Sequence, residues 1–182
     1  MNNFRIPNEW LNRPINVALV GCGGSGSACL TELYQLSFLL HAISDGQMYL
    51  NVTAFDNDDV SYTNIGRQSF YPQDVGFNKA EVLIERFNMF GGVNWKAKSE
   101  YFTPTKHLAQ QYDQDNFDLI ITCVDTAKVR AEIGEYGRIR PSNKLWLDMG
   151  NSEFSGQVVF GHLGLGDINN HLPNVYDLYP SL

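Results

Sequence analysis

The sequence feature that most constrains the fold is a short apolar segment that leads directly into a glycine-rich turn. Residues 17–20 are apolar or small, which suits a parallel strand buried on both faces. Four glycines follow at once: Gly21, Gly23, Gly24 and Gly26. Because glycine has no side chain, such a turn is tight and lets a phosphate approach main-chain N–H groups at the start of the next helix. The spacing fits the dinucleotide-binding fingerprint and predicts a nucleotide-binding α/β domain, although a turn that binds nothing has the same pattern.

Composition narrows the class of protein. The chain has 182 residues, 43% of them hydrophobic, so we expect one domain with one substantial core. Its formal charge of −7 argues against a protein that coats nucleic acid or an anionic membrane, because both favour basic surfaces. No apolar run approaches the roughly 20 residues that span a bilayer, and the first residues lack the apolar segment of a signal peptide, so we expect a cytoplasmic protein. The three cysteines form no C-x-x-C pair, so zinc is not expected.

Apolar periodicity places the remaining elements. We expect an irregular arm over residues 1–14, strands over 48–55, 93–98, 117–125, 145–150 and 157–161, helices over 78–88, 103–112 and 126–138, and a loop-like tail over 165–182. Ser25 or Ser27 is expected to cap the first helix. Because strands alternate with helices, residues 15–164 are predicted to form a Rossmann-like three-layer α/β domain with a mainly parallel sheet. The last two strands have no long helix between them, which predicts antiparallel pairing at one edge.

Charged residues follow the predicted strands at the sheet edge where open α/β folds bind ligands. Asp56 and Asp58 follow the second strand, and Asp125 closes the fourth. Lys79 stands in the first turn of a helix, where a cation opposes the helix dipole and a bound anion would explain it. Ordinary turn chemistry for the aspartates and a solvated surface lysine are the alternative interpretations.

A polar loop between the second strand and that helix carries Asn64, Arg67 and Gln68. Nucleotidyl transfer needs cations and a Mg²⁺ ligand, whereas hydride transfer from NAD needs the glycines and one acidic ribose partner. The presence of Arg67 together with Lys79 and Asp125 therefore favours a nucleoside triphosphate with its metal over NAD.

Five motifs occur in a fixed order along the chain. They are Val20-Gly21-Cys22-Gly23-Gly24-Ser25-Gly26, Phe55-Asp56-Asn57-Asp58-Asp59-Val60, Thr63-Asn64-Ile65-Gly66-Arg67-Gln68, Val75-Gly76-x-x-Lys79-Ala80 and Cys123-Val124-Asp125. In this order they resemble the ThiF/MoeB family, which includes ubiquitin-activating enzymes. The resemblance runs to a Gly-Gln-Val segment at residues 156–158, and the tail most resembles the ThiF-type proteins of bacterial PRTRC gene systems.

The resemblance implies ATP-dependent adenylation of the C-terminal carboxylate of a ubiquitin-like or sulfur-carrier protein, with release of pyrophosphate, by a homodimer. It implies that Asp56 holds the ribose, that Arg67 and Lys79 bind the triphosphate, and that Asp125 ligates Mg²⁺. The remaining implied nucleotide contacts are Gly21, Gly23, Gly24, Gly26, Asp58, Asn64 and Gln68.

The sequence also departs from the family pattern. Gly66 stands where an Asn or Gln is common, and no arginine-rich opening motif is recognisable, which leaves Arg5 and Arg13 as the candidates for a phosphate-contacting arginine from a partner subunit. The crossover region and closing elements of the family are not recognisable within residues 1–182, so we expect residues 165–182 to be the start of a missing C-terminal segment. An NAD-linked oxidoreductase and a truncated, non-catalytic nucleotide-binding or partner-binding module are the competing hypotheses.

Overall fold

The computed structural model describes residues 4–109, 116–140, 142–151, 155–164 and 171–180. The strands are β1 (Ile15–Val20), β2 (Leu50–Phe55), β3 (Lys96–Lys98), β4 (Leu119–Thr122), β5 (Leu145–Asn151) and β6 (Gly156–His162). The helices are α1 (Gly24–Ile43), α2 (Lys79–Gly91), α3 (Pro104–His107), α4 (Ala127–Ile139) and α5 (Val175–Leu178). Short 3-10 helices cover Asn8–Asn12, Tyr62–Asn64 and Pro72–Asp74. No helix of the described residues is long and apolar enough to cross a membrane.

The strands form one sheet in the order β3-β2-β1-β4-β5-β6, and every neighbouring pair is parallel except β5 and β6. Only residues 152–155 separate β5 from β6, too few for the helical crossover that a parallel pair needs. The predicted α/β class, with a mainly parallel sheet and an antiparallel edge, is confirmed.

Both faces of the sheet are covered because side chains alternate along each strand. On β1, Val17 and Leu19 join a core with α1 and α2, whereas Ala18 and Val20 join a second core with α4 and α5. The three-layer prediction is therefore confirmed, and the carboxyl ends of the central strands meet at one edge between the two cores.

Several predicted strands are too long. The second begins at Leu50 rather than residue 48, and the fourth ends at Thr122, so Asp125 lies in the following loop and does not close the strand. The third strand, predicted from residue 93, begins at Lys96. The predicted first residues of this strand do not join the sheet, because the main chain of Trp95 is bound by Asn88. Trp95 N–H donates to the side chain of Asn88 (2.8 Å), whose amide donates back to the Trp95 carbonyl (2.9 Å).

The helix ends also differ from the predictions. Neither Ser25 nor Ser27 caps α1; the N-cap is Gly23, and the Ser27 hydroxyl donates to the Gly24 carbonyl. The N-cap of α2 is Asn78, whose side chain accepts from two main-chain N–H groups of the first turn. The predicted helix 103–112 is present only over Pro104–His107, and its last residues, 110–112, lie outside the described residues.

Part of the predicted loop-like tail is helical. α5 is capped by Asn174 and lies on α4, where Gly134 leaves room for the Tyr176 ring: a Cβ on Gly134 would lie 2.2 Å from that ring. Val175 is 1% exposed in the second core. The loop prediction is thus wrong for residues 175–178, and the remainder of the tail, 165–170 and 181–182, lies outside the described residues.

Candidate functional site

A cleft of about 820 Å³ opens at the carboxyl ends of β1, β2 and β4. From β1 the chain continues to β2 on one side, while β4 lies on the other, and such switch points are where open α/β sheets bind ligands. The sequence-predicted site residues that line the cleft are Gly21, Gly23, Gly24, Asp56, Asp58, Asn64, Arg67, Gln68, Lys79 and Asp125. Its volume is in the usual range for small-molecule sites.

Two of the turn glycines are required by the fold itself. Gly21 has φ +92°, and a Cβ there would lie 2.8 Å from the Cys123 carbonyl oxygen. A Cβ on Gly26 would lie 1.9 Å from the Gly21 carbonyl oxygen, so Gly26 lets α1 pack against the turn. Gly26 is not among the described lining residues of the cleft, so its packing role is shown and its nucleotide contact stays a prediction.

The other two turn glycines have room for a side chain. The nearest atom to a Cβ on Gly23 would be Gln68 Nε2 at 3.8 Å, and for Gly24 it would be the Arg67 carbonyl at 3.7 Å, both ordinary contacts. Packing therefore does not require these glycines, although glycine is a favoured N-cap residue at Gly23; an open approach for a ligand to the start of α1 is consistent with both. The first N–H groups of a helix carry partial positive charge and attract anions.

Asp56 is held rigidly at the end of β2. Its carboxylate accepts from Cys22 N–H (2.6 Å) and Asp58 N–H (2.8 Å). Burial raises the pKa of Asp56 from its ordinary value, and these two hydrogen bonds partly oppose that shift. Each carboxylate oxygen has two lone pairs, so Asp56 retains acceptor capacity toward hydroxyl groups of a ligand.

Lys79 lies at the first position of α2 with only 10% of its side chain exposed. Its ammonium pairs with Asp58 Oδ2 at 2.9 Å, and the Asp58 side chain is 63% exposed. Asp58 thus supplies part of the negative charge beside Lys79 for which the sequence pattern predicted a bound anion. The pair joins a buried ammonium to a carboxylate that is open to solvent, so Asp58 is free to move away from Lys79.

The loop after β2 presents Arg67 to the cleft. Asn64 is buried, and its side-chain oxygen accepts from Ser61 N–H (2.8 Å), so that oxygen is engaged in shaping the loop. Arg67 Nε donates to the Thr63 carbonyl (2.8 Å), and the exposed residue is part of the cleft lining. Gly66 has φ +83°, a left-handed conformation that glycine adopts without strain and asparagine tolerates better than most residues. That backbone conformation accounts for a glycine where the Asn or Gln of the family pattern was expected.

Gln68 brings an unsatisfied polar atom to the same cleft. Its Oε1 is buried and, within the described residues, has no hydrogen-bond partner. Buried polar atoms are nearly always paired in folded proteins, so this unpaired acceptor is an unusual feature of a residue that lines the cleft.

Asp125 is exposed in the loop between β4 and α4. Among the described residues no three His, Cys, Asp or Glu side chains gather into a metal-binding group. A single carboxylate still fits Mg²⁺, which keeps several waters and is commonly held by one or two carboxylates together with substrate phosphates.

Sequence reasoning missed several residues of the cleft. Glu100 and Tyr101 follow β3, and Asn151 ends β5, so the strand-end rule that found Asp56 also applies to them. With Asp59 and Glu100 included, the described lining holds five carboxyl groups (Asp56, Asp58, Asp59, Glu100 and Asp125) against the two cations Arg67 and Lys79. This excess of negative charge favours an anionic ligand that arrives with a divalent cation over a bare polyphosphate.

The matching family model covers most of the chain: the ThiF family model aligns with residues 11–178. The chain belongs to the ThiF family. This ThiF-family chain is 26% identical to ubiquitin-like modifier-activating enzyme 5 of Arabidopsis thaliana over 172 residues, covering 84% of the chain and 35% of that relative. The chain is also 26% identical to ubiquitin-like modifier-activating enzyme 5 of Caenorhabditis elegans over 177 residues, covering 90% of the chain and 38% of that relative. The chain thus spans little more than a third of the length of these curated relatives.

The ThiF domain also resembles solved structures of the E. coli tRNA N6-threonylcarbamoyladenosine dehydratase TcdA. One superposes with a TM-score of 0.51 at 25% identity, covering 71% of this chain and 49% of TcdA. Another, a complex of TcdA with AMP, superposes with a TM-score of 0.50 at 26% identity, covering 71% of this chain and 48% of TcdA.

Proposed function

We propose that the cleft binds ATP with Mg²⁺ and that the protein adenylates a carboxylate. The observation that carries the proposal is that residues from five separate sequence motifs line one cleft. The glycine turn, the carboxylate of Asp56, the two cations Arg67 and Lys79, and Asp125 are each suited to a different part of a nucleoside triphosphate. The AMP complex of TcdA, a protein of similar fold, supports an adenine nucleotide as the ligand.

Each residue has a role in this proposal. Asp56 accepts hydrogen bonds from the ribose hydroxyls, while Gly23 and Gly24 leave the backbone open to the phosphates. Arg67 and Lys79 bind the triphosphate and offset the charge that develops at the α-phosphorus. Asp125 holds Mg²⁺, which neutralises phosphate charge when bound.

The reaction is a displacement at phosphorus. An oxygen of the substrate carboxylate forms a bond to the α-phosphorus, the bond from that phosphorus to the oxygen bridging toward the β-phosphate breaks, and pyrophosphate leaves. No general base is needed, because a carboxylate is already ionised near pH 7. The protein contributes position and electrostatic stabilisation rather than a nucleophile of its own.

We propose the C-terminal carboxylate of a ubiquitin-like or sulfur-carrier protein as the substrate and a homodimer as the working form. The name of the curated relatives, ubiquitin-like modifier-activating enzyme 5, supports a partner of this kind. The name of TcdA refers instead to a tRNA, but the net charge of −7 disfavours extensive phosphate contacts by this chain. Arg13, one candidate for an arginine given to a partner subunit, is held by both carboxylate oxygens of Asp118 (2.7 and 2.8 Å), which disfavours that use.

The test is exchange of radiolabelled pyrophosphate into ATP by the purified chain with a panel of ubiquitin-like and sulfur-carrier proteins. We expect exchange with at least one panel member, none when its C-terminal carboxylate is amidated, and a loss in Asp125→Ala. Absence of exchange with every panel member, under conditions where the folded chain binds ATP, would contradict this substrate class. Nucleotide-dependent hydride transfer would favour the oxidoreductase hypothesis.

A further inference from the structure

A buried arginine holds the loop that carries Asp125. Arg130 lies on α4 and is 7% exposed. Its guanidinium donates to the main-chain carbonyls on both sides of Asp125: Nη2 to Val124 at 2.7 Å and Nη1 to Thr126 at 3.4 Å. The backbone on either side of the aspartate is therefore tied to one rigid, forked side chain.

The loop has little other restraint. Thr126, the N-cap of α4, makes no side-chain capping hydrogen bond. Within the described residues the Asp125 carboxylate has no hydrogen bond or ion pair of its own, and the residue is exposed. The direction in which Asp125 points thus depends on the backbone that Arg130 holds.

Arg130 is itself fixed from β5. Asp148 is fully buried, and its Oδ1 accepts from Arg130 Nε (2.7 Å) and from the Thr122 hydroxyl (2.5 Å) at the end of β4. The Trp146 indole N–H donates to the same hydroxyl at 2.9 Å. One hydrogen-bonded network therefore links β4, β5 and α4 directly behind the Asp125 loop.

This network is a poor device for stability alone. Burying a charged pair costs desolvation energy that its attraction often fails to recover. Asp148 Oδ2 is buried and has no partner among the described residues, which adds to that cost. A Cβ on Gly150 would lie 3.3 Å from Arg130 Nη2, so even the neighbouring strand residue leaves space for the guanidinium. A costly, closely fitted arrangement is the expected sign of a positional requirement.

We infer that Arg130, held by Asp148, is a positioning residue that fixes Asp125 for Mg²⁺ in the cleft. The inference rests on the proposed function, because Asp125 is the metal ligand only if the cleft binds ATP with Mg²⁺. Lysine cannot replace the arginine in this role, since a single ammonium lacks the fork that reaches both carbonyls while contacting Asp148.

Calorimetric titration of ATP, with and without Mg²⁺, tests the inference without measuring turnover. In the wild type we expect Mg²⁺ to raise ATP affinity, and in Asp125→Asn we expect that gain to disappear. Arg130→Gln should reduce the Mg²⁺-dependent gain by about tenfold, the usual scale for residues that orient a metal ligand, and leave metal-free ATP binding little changed. Arg138→Gln, on the same helix with its guanidinium over Tyr176, is the matched control and should keep the full gain.

A folded Arg130→Gln variant with the full Mg²⁺ gain would overturn the inference, as would equal losses with and without the metal, which indicate general loosening. If Arg130→Gln does not fold, Arg130→Lys decides, because it keeps a positive charge opposite Asp148 but not the fork. A wild-type protein that binds ATP without any Mg²⁺ gain also overturns the inference. A folded wild type that binds no ATP overturns the proposed function instead.

Discussion

Gly23 and Gly26 belong to one sequence motif, yet the structure gives them different parts. A Cβ on Gly26 would lie 1.9 Å from the Gly21 carbonyl oxygen, whereas the nearest atom of the described residues to a Cβ on Gly23 would lie at 3.8 Å. Packing of the fold therefore requires a glycine at position 26, whereas the glycine at position 23 is expected to serve a ligand.

We expect Gly26→Ala to lower the free energy of unfolding by about 3 kcal/mol or more, because overpacking against backbone cannot relax easily. Gly23→Ala should change it by less than about 1 kcal/mol, because the added methyl group has room and alanine is only a poorer N-cap than glycine. The same substitution should weaken ATP binding, because it adds a methyl group to the cleft lining at the start of α1. Urea denaturation and calorimetric titration of both variants provide the measurement. Equal stability of the two variants would contradict the packing role of Gly26.

Lys79 is the buried cation of the cleft, and substitution tests its proposed contact with phosphate. Lys79→Met keeps the buried length of the side chain and removes the charge, so the fold should persist while ATP affinity falls about 10- to 100-fold, the loss of one charged contact to phosphate. Lys128→Met, an exposed lysine on α4 outside the cleft, is the control and should bind ATP like the wild type. Unchanged affinity in folded Lys79→Met, measured by calorimetry, would remove Lys79 from the phosphate site.

The sequence predicted individual site residues where a local rule applies. Asp56 and Asp125 were found because they follow buried strands, and Lys79 because a cation is unfavourable at the start of a helix. Arg130 and Asp148 were missed because they are 18 residues apart and meet only when α4 packs on β5. No local pattern contains that contact.

Helices and strands were predicted well in kind and less well in their ends. β1, α2 and α4 are present as their apolar periodicity predicts, because each of these elements buries its apolar residues on one face or on both. The ends depend on side chains that compete for the backbone: Asn88 takes the polar groups of Trp95 from the β3 ladder, and Asn174 caps α5 within a segment that has few apolar residues.

α3 contains a pH-sensitive contact. Burial lowers the pKa of His107 from its ordinary value of 6.5, an effect that Glu100 partly offsets, and His107 Nδ1 accepts from Thr103 N–H at 2.9 Å. The unfolded chain therefore takes up a proton at a higher pH than the folded chain does. The free energy of unfolding should fall as the pH drops below 6.5.

His107→Gln, which retains an acceptor but does not titrate, should reduce that pH dependence. Urea denaturation between pH 5 and pH 7.5, a range flanking the ordinary histidine pKa, measures it. A pH slope that is the same in wild type and His107→Gln would show that His107 protonation does not limit stability.

The whole molecule places an acidic cleft on an acidic chain. The alternation of apolar strands and helices predicted the α/β domain correctly, but it could not predict that five carboxyl groups meet in the cleft, because these come from three separate segments. The excess of carboxyl groups over cations in the cleft supports a nucleotide that binds together with a divalent cation. The division into residues 1–14, 15–164 and 165–182 stays a prediction.

We propose that this cleft is an ATP site rather than an NAD site. Calorimetric titration of the full chain with ATP and, separately, with NAD⁺, both at the same Mg²⁺ concentration, tests it most directly. We expect ATP to bind with an affinity higher than that of NAD⁺ by about tenfold or more. Arg67→Ala should lose most of that difference, because NAD⁺ has no γ-phosphate for Arg67 to bind. Tighter binding of NAD⁺ than of ATP, or no binding of ATP to the folded chain, would contradict the account.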